Sequence, residues 1–213
     1  MQALSAKQIQ ALSTDVIKNL TTSDMKEFSA TQVAALSSAQ LGELSSDKLS
    51  ALSTDALGAL SAKQIQGLTA ANLSTGTINA LTAKQIAALT TTQLSGMTSS
   101  QIGAISTGSI ASLTDAQIKG LSSANIAALT TAQAEALSAK QIAGIGTDAI
   151  LGLETADLVE ISTAAIKGLT AGQIETLTTT QVKALTSDQV QVLSAKQIQA
   201  FTTDQIQHLN FGS

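Results

Sequence analysis

The sequence predicts an all-α solenoid of very short helices of about two turns, one per eight-residue repeat, elongated or superhelical. Three observations carry that prediction. An apolar residue recurs every eight positions, as at Leu4, Leu12 and Leu20. A hydroxyl residue follows it almost every time, and three residues after that stands, most often, a glutamine. Finally, the alphabet is impoverished: 213 residues contain no Cys, Pro or Trp, and only 1% are aromatic. Such monotony marks an internally copied array rather than an ordinary globular domain.

Numbered from its leucine, each unit has eight positions. Octads run over residues 4–67, a shortened unit LTAAN fills 68–72, octads resume over 73–208, and residues 209–213 form the C-terminal end of a single repeat array. The complete octads number 25, and position one is apolar in all of them. Position six is Ile, Leu, Val or Met in every octad except the one holding Ala134, and position eight is usually Ala or Gly.

The helix starts come next. Position two is Ser or Thr in 23 of the 25 octads, which with Gln at position five gives S/T-x-x-Q, as in Ser5 to Gln8, Thr82 to Gln85 and Thr178 to Gln181. This is capping-box spacing, in which the hydroxyl accepts from the backbone N–H three residues on and the Gln side chain reaches back. Recurrence at one phase means that each octad begins a new helix. Charge agrees: all nine Asp residues fall at positions three to five, the first helical turn, where the macrodipole favours a carboxylate. Several octads without Gln carry Asp at position four, as at Asp15 and Asp55. The rival architecture is a β-solenoid of 16-residue coils, since Ile, Thr and Ser suit strands. It offers no reason to sort Asp this way.

At about 100° per residue, position six and the next position one share a face, with position eight beside them. Ile9, Ala11 and Leu12 therefore point inward. Ten of the eleven lysines sit at the outward positions four or seven; Lys48, at position five, is the exception. Isolated helices below about 12–15 residues are marginal in water. Each octad therefore depends on stacked neighbours, and a small residue at position eight lets them approach. The missing three residues at 68–72 predict a local kink or a skipped turn, with Gly76, Asn72 and Asn79 alongside. SAKQI or TAKQI recurs at Leu4, Leu60, Leu81, Leu137 and Leu193, and the spacing reads as a duplicated seven-octad block, taken as one superhelical turn.

Chemistry is sparse. The sole histidine, His208, has no clustered ligands and reads as an incidental end residue. Ser45-x-x-Lys48 has Ser–Lys nucleophile spacing, but Ser45 is the expected cap and Lys48 an ordinary surface residue. Asn19-Leu20-Thr21 and Asn72-Leu73-Ser74 match glycosylation sequons, yet each places its hydroxyl at the cap and its middle residue in the core. Regularly spaced threonines, as in Leu89-Thr90-Thr91-Thr92, suggest an ice-binding surface, but capping accounts for position two. No calcium loop and no phosphate-cradling glycine motif exists. The expected catalytic, cofactor and metal residues are none, and the chain is expected not to be an enzyme. With 11 Lys against 15 acids and no basic stripe, nucleic acid is not an expected partner. No apolar run reaches the roughly 18–20 residues of a membrane span.

The repeat resembles the L-[ST]-x-x-Q-[IV]-x-A-L arrays of very large bacterial secreted or surface proteins, grouped with RTX-like adhesins and haemagglutinin-type proteins. The match covers nearly all the chain and is one of repeat style. Calcium-binding nonapeptides are lacking, and no N-terminal signal-peptide pattern is evident. The resemblance implies a stalk or spacer at the cell surface or outside the cell. The residues leave two alternatives: a solenoid scaffold binding protein or peptide, and end-to-end self-association into fibres.

Overall fold

The computed structural model describes residues 3–211. Among these residues there are 24 α-helices and two 3-10 turns, with no strand. The β-solenoid is thereby excluded. The longest helices, such as Ala6–Ala11, have six residues and the shortest, such as Thr163–Ile166, have four. They fall slightly short of two turns because two residues of each octad serve as an extended hinge. Ser5 has φ −71°, ψ 161°, and the preceding helix-ending position is equally extended, as at Leu12 with φ −66°, ψ 136°.

Capping explains each restart. The N–H of Gln8 donates to Ser5 Oγ, and the Ser5 N–H donates to Gln8 Oε1 at 2.9 Å. This reciprocal box occurs in 17 of the 24 α-helices. Five more have only the hydroxyl half, and the helices behind Ser45 and Glu154 have no side-chain cap. At the other end the Leu12 N–H folds back on Ile9 O at 3.2 Å, closing the helix.

The two octads without a hydroxyl at position two show what the cap is for. Gly146 opens a unit that forms no α-helix, only the 3-10 turn Ala149–Gly152. Glu154 opens an α-helix, Thr155–Glu160, with an uncapped start.

The chain divides into two compact units, residues 1–105 and 106–213, each a solenoid of octads. In the first, Ala6–Ala11 packs on Ala30–Ala35, and Thr14–Asn19 on Ser38–Gly42. In the second, Asp115–Lys119 packs on Ala139–Gly144, and Thr155–Glu160 on Thr179–Ala184. A helix thus meets the third unit after it. Positions one and six form a thin aliphatic core; Leu41, Leu44, Leu49 and Ile65 are completely or almost completely buried. At roughly 1.5–3 kcal/mol per buried aliphatic side chain, this core supplies the stabilisation that a lone five-residue helix lacks.

Small residues at position eight matter most at three glycines. A Cβ on Gly152 or Gly168 would lie 2.0 Å from the carbonyl oxygen of Ser123 or Ala139, and one on Gly67 would lie 2.6 Å from Ser38 Cβ. At these points one backbone rests directly on another.

The shortened unit differs from expectation. Stacking continues through it, because its helix shrinks to the 3-10 turn Ala70–Asn72 while the unit keeps its place. Asn72 Nδ2 donates to Gly42 O and Leu44 O, bonds of the same reach as those of its neighbours. One turn of helix is lost, and the stack is not. The seven-octad block also needs correction: a circuit takes about 28 residues, as the hydrogen bonds below show, so the block spans two circuits, not one.

Candidate functional site

The most organised chemistry in the chain is a ladder of glutamine side chains. Gln fills position five in 15 units, and 14 of these side chains are buried. Each Gln has two ends. Oε1 accepts the N–H of its own cap residue, and in twelve of the fifteen Nε2 donates to a carbonyl of the previous circuit in the same compact unit. Gln173 Nε2 donates to Ile142 O and Ile145 O, both at 2.7 Å, 31 and 28 residues earlier. Gln40 does the same with Ile9 O and Leu12 O, at 3.0 and 2.8 Å. Gln64, Gln181, Gln189 and Gln205 repeat the pattern.

The acceptors are the two carbonyls at a helix C-terminus: that of position six, which also accepts the N–H of the next position one, as Ile142 O does from Ile145, and that of position one itself, which has no intrahelical donor. One side chain therefore satisfies the cap N–H of its own helix and an orphan carbonyl of an earlier one. Gln8 keeps the cap, has no residue 28 before it, and is exposed.

Sequence reasoning finds the cap and misses this second role. A signal for it exists. A capping box tolerates Glu as well as Gln, yet none of the six Glu residues occupies position five. Only the carboxamide has a donor to send across the stack.

Other residues fill the slot with different results. Lys48 hydrogen-bonds through Nζ to Lys18 O across the stack, so its ammonium serves the ladder; Ser45 makes no side-chain cap bond. Nothing in this arrangement couples a nucleophile to a base. Asp157 is 4% exposed and cannot donate as a carboxylate; its Oδ1 accepts from Thr131 Oγ1 at 2.9 Å. Asp24 completes a capping box on Thr21, and that side-chain hydrogen bond, with the Thr21 backbone N–H, holds its carboxyl below the usual value.

The remaining candidates stay apart. His208 is exposed, and its backbone N–H donates to Gln205 O. Asn19 Nδ2 donates to Asp15 O at 2.8 Å, and Asn72 belongs to the ladder. Thr90 is the cap of Thr91–Ser95, as position two requires. A recess of about 480 Å³ lies beside Leu36, Ser37, Ser61 and Lys63. Ser37 and Ser61 there are caps, each receiving a backbone N–H, and Ser38 Oγ donates to Lys63 O at 2.9 Å. Among the described residues no three His, Cys, Asp or Glu side chains gather as a metal site, and no helix is long and apolar enough to cross a membrane.

The repeat geometry has a counterpart among known families: the ALTTAQ repeat matches residues 17–54, 96–131, 110–147, 150–187 and 182–210. The chain belongs to the ALTTAQ repeat family. No curated protein matches it. The six letters of the ALTTAQ repeat stand unaltered at Ala128–Gln133. There Leu129 is a buried core position, Thr130 caps the next helix and Gln133 returns the bond to the Thr130 N–H at 2.8 Å. In this ALTTAQ chain the letters describe a helix restart.

Proposed function

We propose that the chain is a non-enzymatic structural repeat segment, a stalk or spacer in a large bacterial secreted or surface protein of adhesin type, working at the cell surface or outside the cell. One observation carries the reading. The polar side chains that recur along the repeat are mostly spent in the stack itself, the position-two hydroxyls in caps and the buried glutamines in caps and cross-circuit bonds, as at Thr170 and Gln173. Gln173, 1% exposed, spends both N–H groups on carbonyls and its oxygen on the cap N–H, which leaves it no donor for a substrate. What such an array adds with each further unit is length, since a repeat interacts chiefly with its neighbours. The resemblance to arrays of large secreted and surface proteins supports the setting.

The test is insertion of a second copy of residues 81–136 after residue 136, and then a third. A spacer gains the same increment in maximum dimension, by small-angle X-ray scattering, with each insertion, while ellipticity per residue stays constant. A dimension that does not grow, or helicity lost on insertion, overturns the reading. For the setting, antibody labelling of intact cells of the source bacterium is expected to reach the segment, and labelling seen only after lysis would reject it.

A further inference from the structure

Among the described residues of the second unit, side chains alone bond one circuit to the next, because each backbone N–H reaches only three or four residues back. Residues 142–169 are gripped in this way by the circuit that follows them, through Gln173, Gln181, Gln189 and Gln197 in four consecutive units. Toward the circuit before them the ladder stops. The 31- and 28-residue register sets Ala149 against Ile118 O and Leu121 O, Asp157 against Ile126 O and Leu129 O, and Ala165 against Ala134 O and Leu137 O. Neither alanine nor a carboxylate has a side-chain donor to offer them. Among the described residues one hydrogen bond crosses this seam, from Thr131 Oγ1 to Asp157 Oδ1 at 2.9 Å. Three units are most of a 28-residue circuit, so the gap runs nearly once around the solenoid.

What closes the seam is packing. Ala149 and Ala165 are buried at position five, and the backbones of Gly152 and Gly168 lie against Ser123 and Ala139, where a Cβ would come within 2.0 Å of a carbonyl oxygen. Contacts of this kind are short in range: a gap of about 0.5–1 Å forfeits a quarter to a half of the attraction. Local support is weakest along the same edge, since the unit of Gly146 forms only a 3-10 turn and the helix behind Glu154 starts uncapped. The covalent link at the end of the seam is Gly144-Ile145-Gly146, one residue between two glycines, directly after the helix Ala139–Gly144.

We propose that this seam is a joint built into the second unit, at which residues 106–144 and 145–211 part as two blocks, pivoting at Gly144-Ile145-Gly146, before the rest of the unit opens. Glutamine ladders hold the circuit beyond the joint, whereas the joint itself has packing and a single side-chain bond. A chain pulled at its ends, or attacked by a protease, therefore yields first at one place. The joint goes beyond the spacer reading and does not depend on it.

Native-state hydrogen exchange of the full chain at low urea, read by mass spectrometry, tests it. Amides on the two edges, residues 118–142 and 150–166, are expected to exchange about tenfold or more faster than those of residues 174–190, through an opening with weaker urea dependence than global unfolding. Equal protection in the three segments, or one urea dependence for all of them, overturns the inference. Asp157→Gln returns a donor to the middle of the seam, so exchange at both edges should slow about fivefold, the worth of one net hydrogen bond, with residues 174–190 unchanged. No slowing, or the same slowing throughout, counts against the joint. A glutamate-specific protease puts the question to the unaltered chain. Glu135, Glu154 and Glu160 lie on the seam, Glu43 and Glu175 lie away from it, and all five are exposed. The first cuts are expected after the seam residues, and first cuts after Glu43 or Glu175 reject the proposal.

Discussion

Gln173→Glu separates the two roles of position five with one atom. The substitution keeps Oε1, which accepts the Thr170 N–H at 2.8 Å, and replaces Nε2, which donates to Ile142 O and Ile145 O at 2.7 Å each. Two donated hydrogen bonds disappear, at a net of about 0.5–1.5 kcal/mol apiece. A carboxylate oxygen then faces two carbonyl oxygens at a site 1% exposed, which adds several kcal/mol of desolvation and repulsion unless the carboxyl binds a proton. The expected loss at pH 7 is about 3–5 kcal/mol, read as a lower urea midpoint by far-UV circular dichroism. Burial raises the folded-state pKa of the new Glu above its unfolded value of about 4.3. The deficit is therefore full above the raised folded value and shrinks as pH falls toward about 4.3. Gln8→Glu is the control. Gln8 makes the same capping box but is exposed, so a carboxylate at its helix start should cost nothing or stabilise by about 0.3–1 kcal/mol. If Gln173→Glu is no worse than Gln8→Glu, or its deficit is independent of pH, the ladder does not hold the circuits together.

Three further perturbations follow from the same geometry. Asp157→Gln restores a donor to an empty rung and is expected to raise the thermal midpoint by the equivalent of about 1 kcal/mol, a net figure for one added hydrogen bond; calorimetry checks it. Gly168→Ala forces a Cβ to within 2.0 Å of Ala139 O and should cost about 1–3 kcal/mol. Gly58→Ala, where a Cβ meets nothing within 4 Å, should instead stabilise by up to about 1 kcal/mol, and paired urea melts compare the two. Asp24 is the acid-sensitive cap. Its carboxyl is held low by Thr21, so its contribution is present above the ordinary value of 3.8 and is lost as pH falls through the lower folded value. Hydrogen exchange at the Thr21 amide, which donates to Asp24 Oδ2, should quicken over that range relative to the Ser29 amide, whose acceptor Gln32 does not titrate.

Local signals were legible because local chemistry creates them. Ser5, Thr82 and Thr178 could be read as caps since a capping box lies within four residues, and the structure places a box at each. The apolar positions one and six followed from helical angle alone. Gly146 and Glu154 were visible as exceptions, and their units show, respectively, a 3-10 turn and an uncapped helix start. The cross-circuit role of Gln was less legible, because its partners lie 28 and 31 residues away and the octad does not divide 28 evenly. Leu151 and Val159 stand at position seven, which helical angle already turns outward, and the structure leaves them 44% and 42% exposed.

The shortened unit explains why a strict eight is unnecessary. Beyond it, Gln85 donates to Leu57 O and Leu60 O, only 28 and 25 residues back, three fewer than the usual 31 and 28. Gln93 does likewise with Ile65 O and Leu68 O, and Gln101 returns to 31 and 28 with Ala70 O and Leu73 O. The bonded pair of carbonyls in the first two cases is still that of the corresponding helix end. Register is therefore counted in units, not in residues. Asn72 supplies the cross-circuit donor with a side chain one methylene shorter than Gln, in a unit three residues shorter than the octad and without a side-chain cap bond. Length errors inside a unit are thus absorbed where they occur, whereas loss of a donor is felt one circuit away. That asymmetry accounts for an array that tolerates a deletion at 68–72 yet keeps glutamine at position five through most of its length.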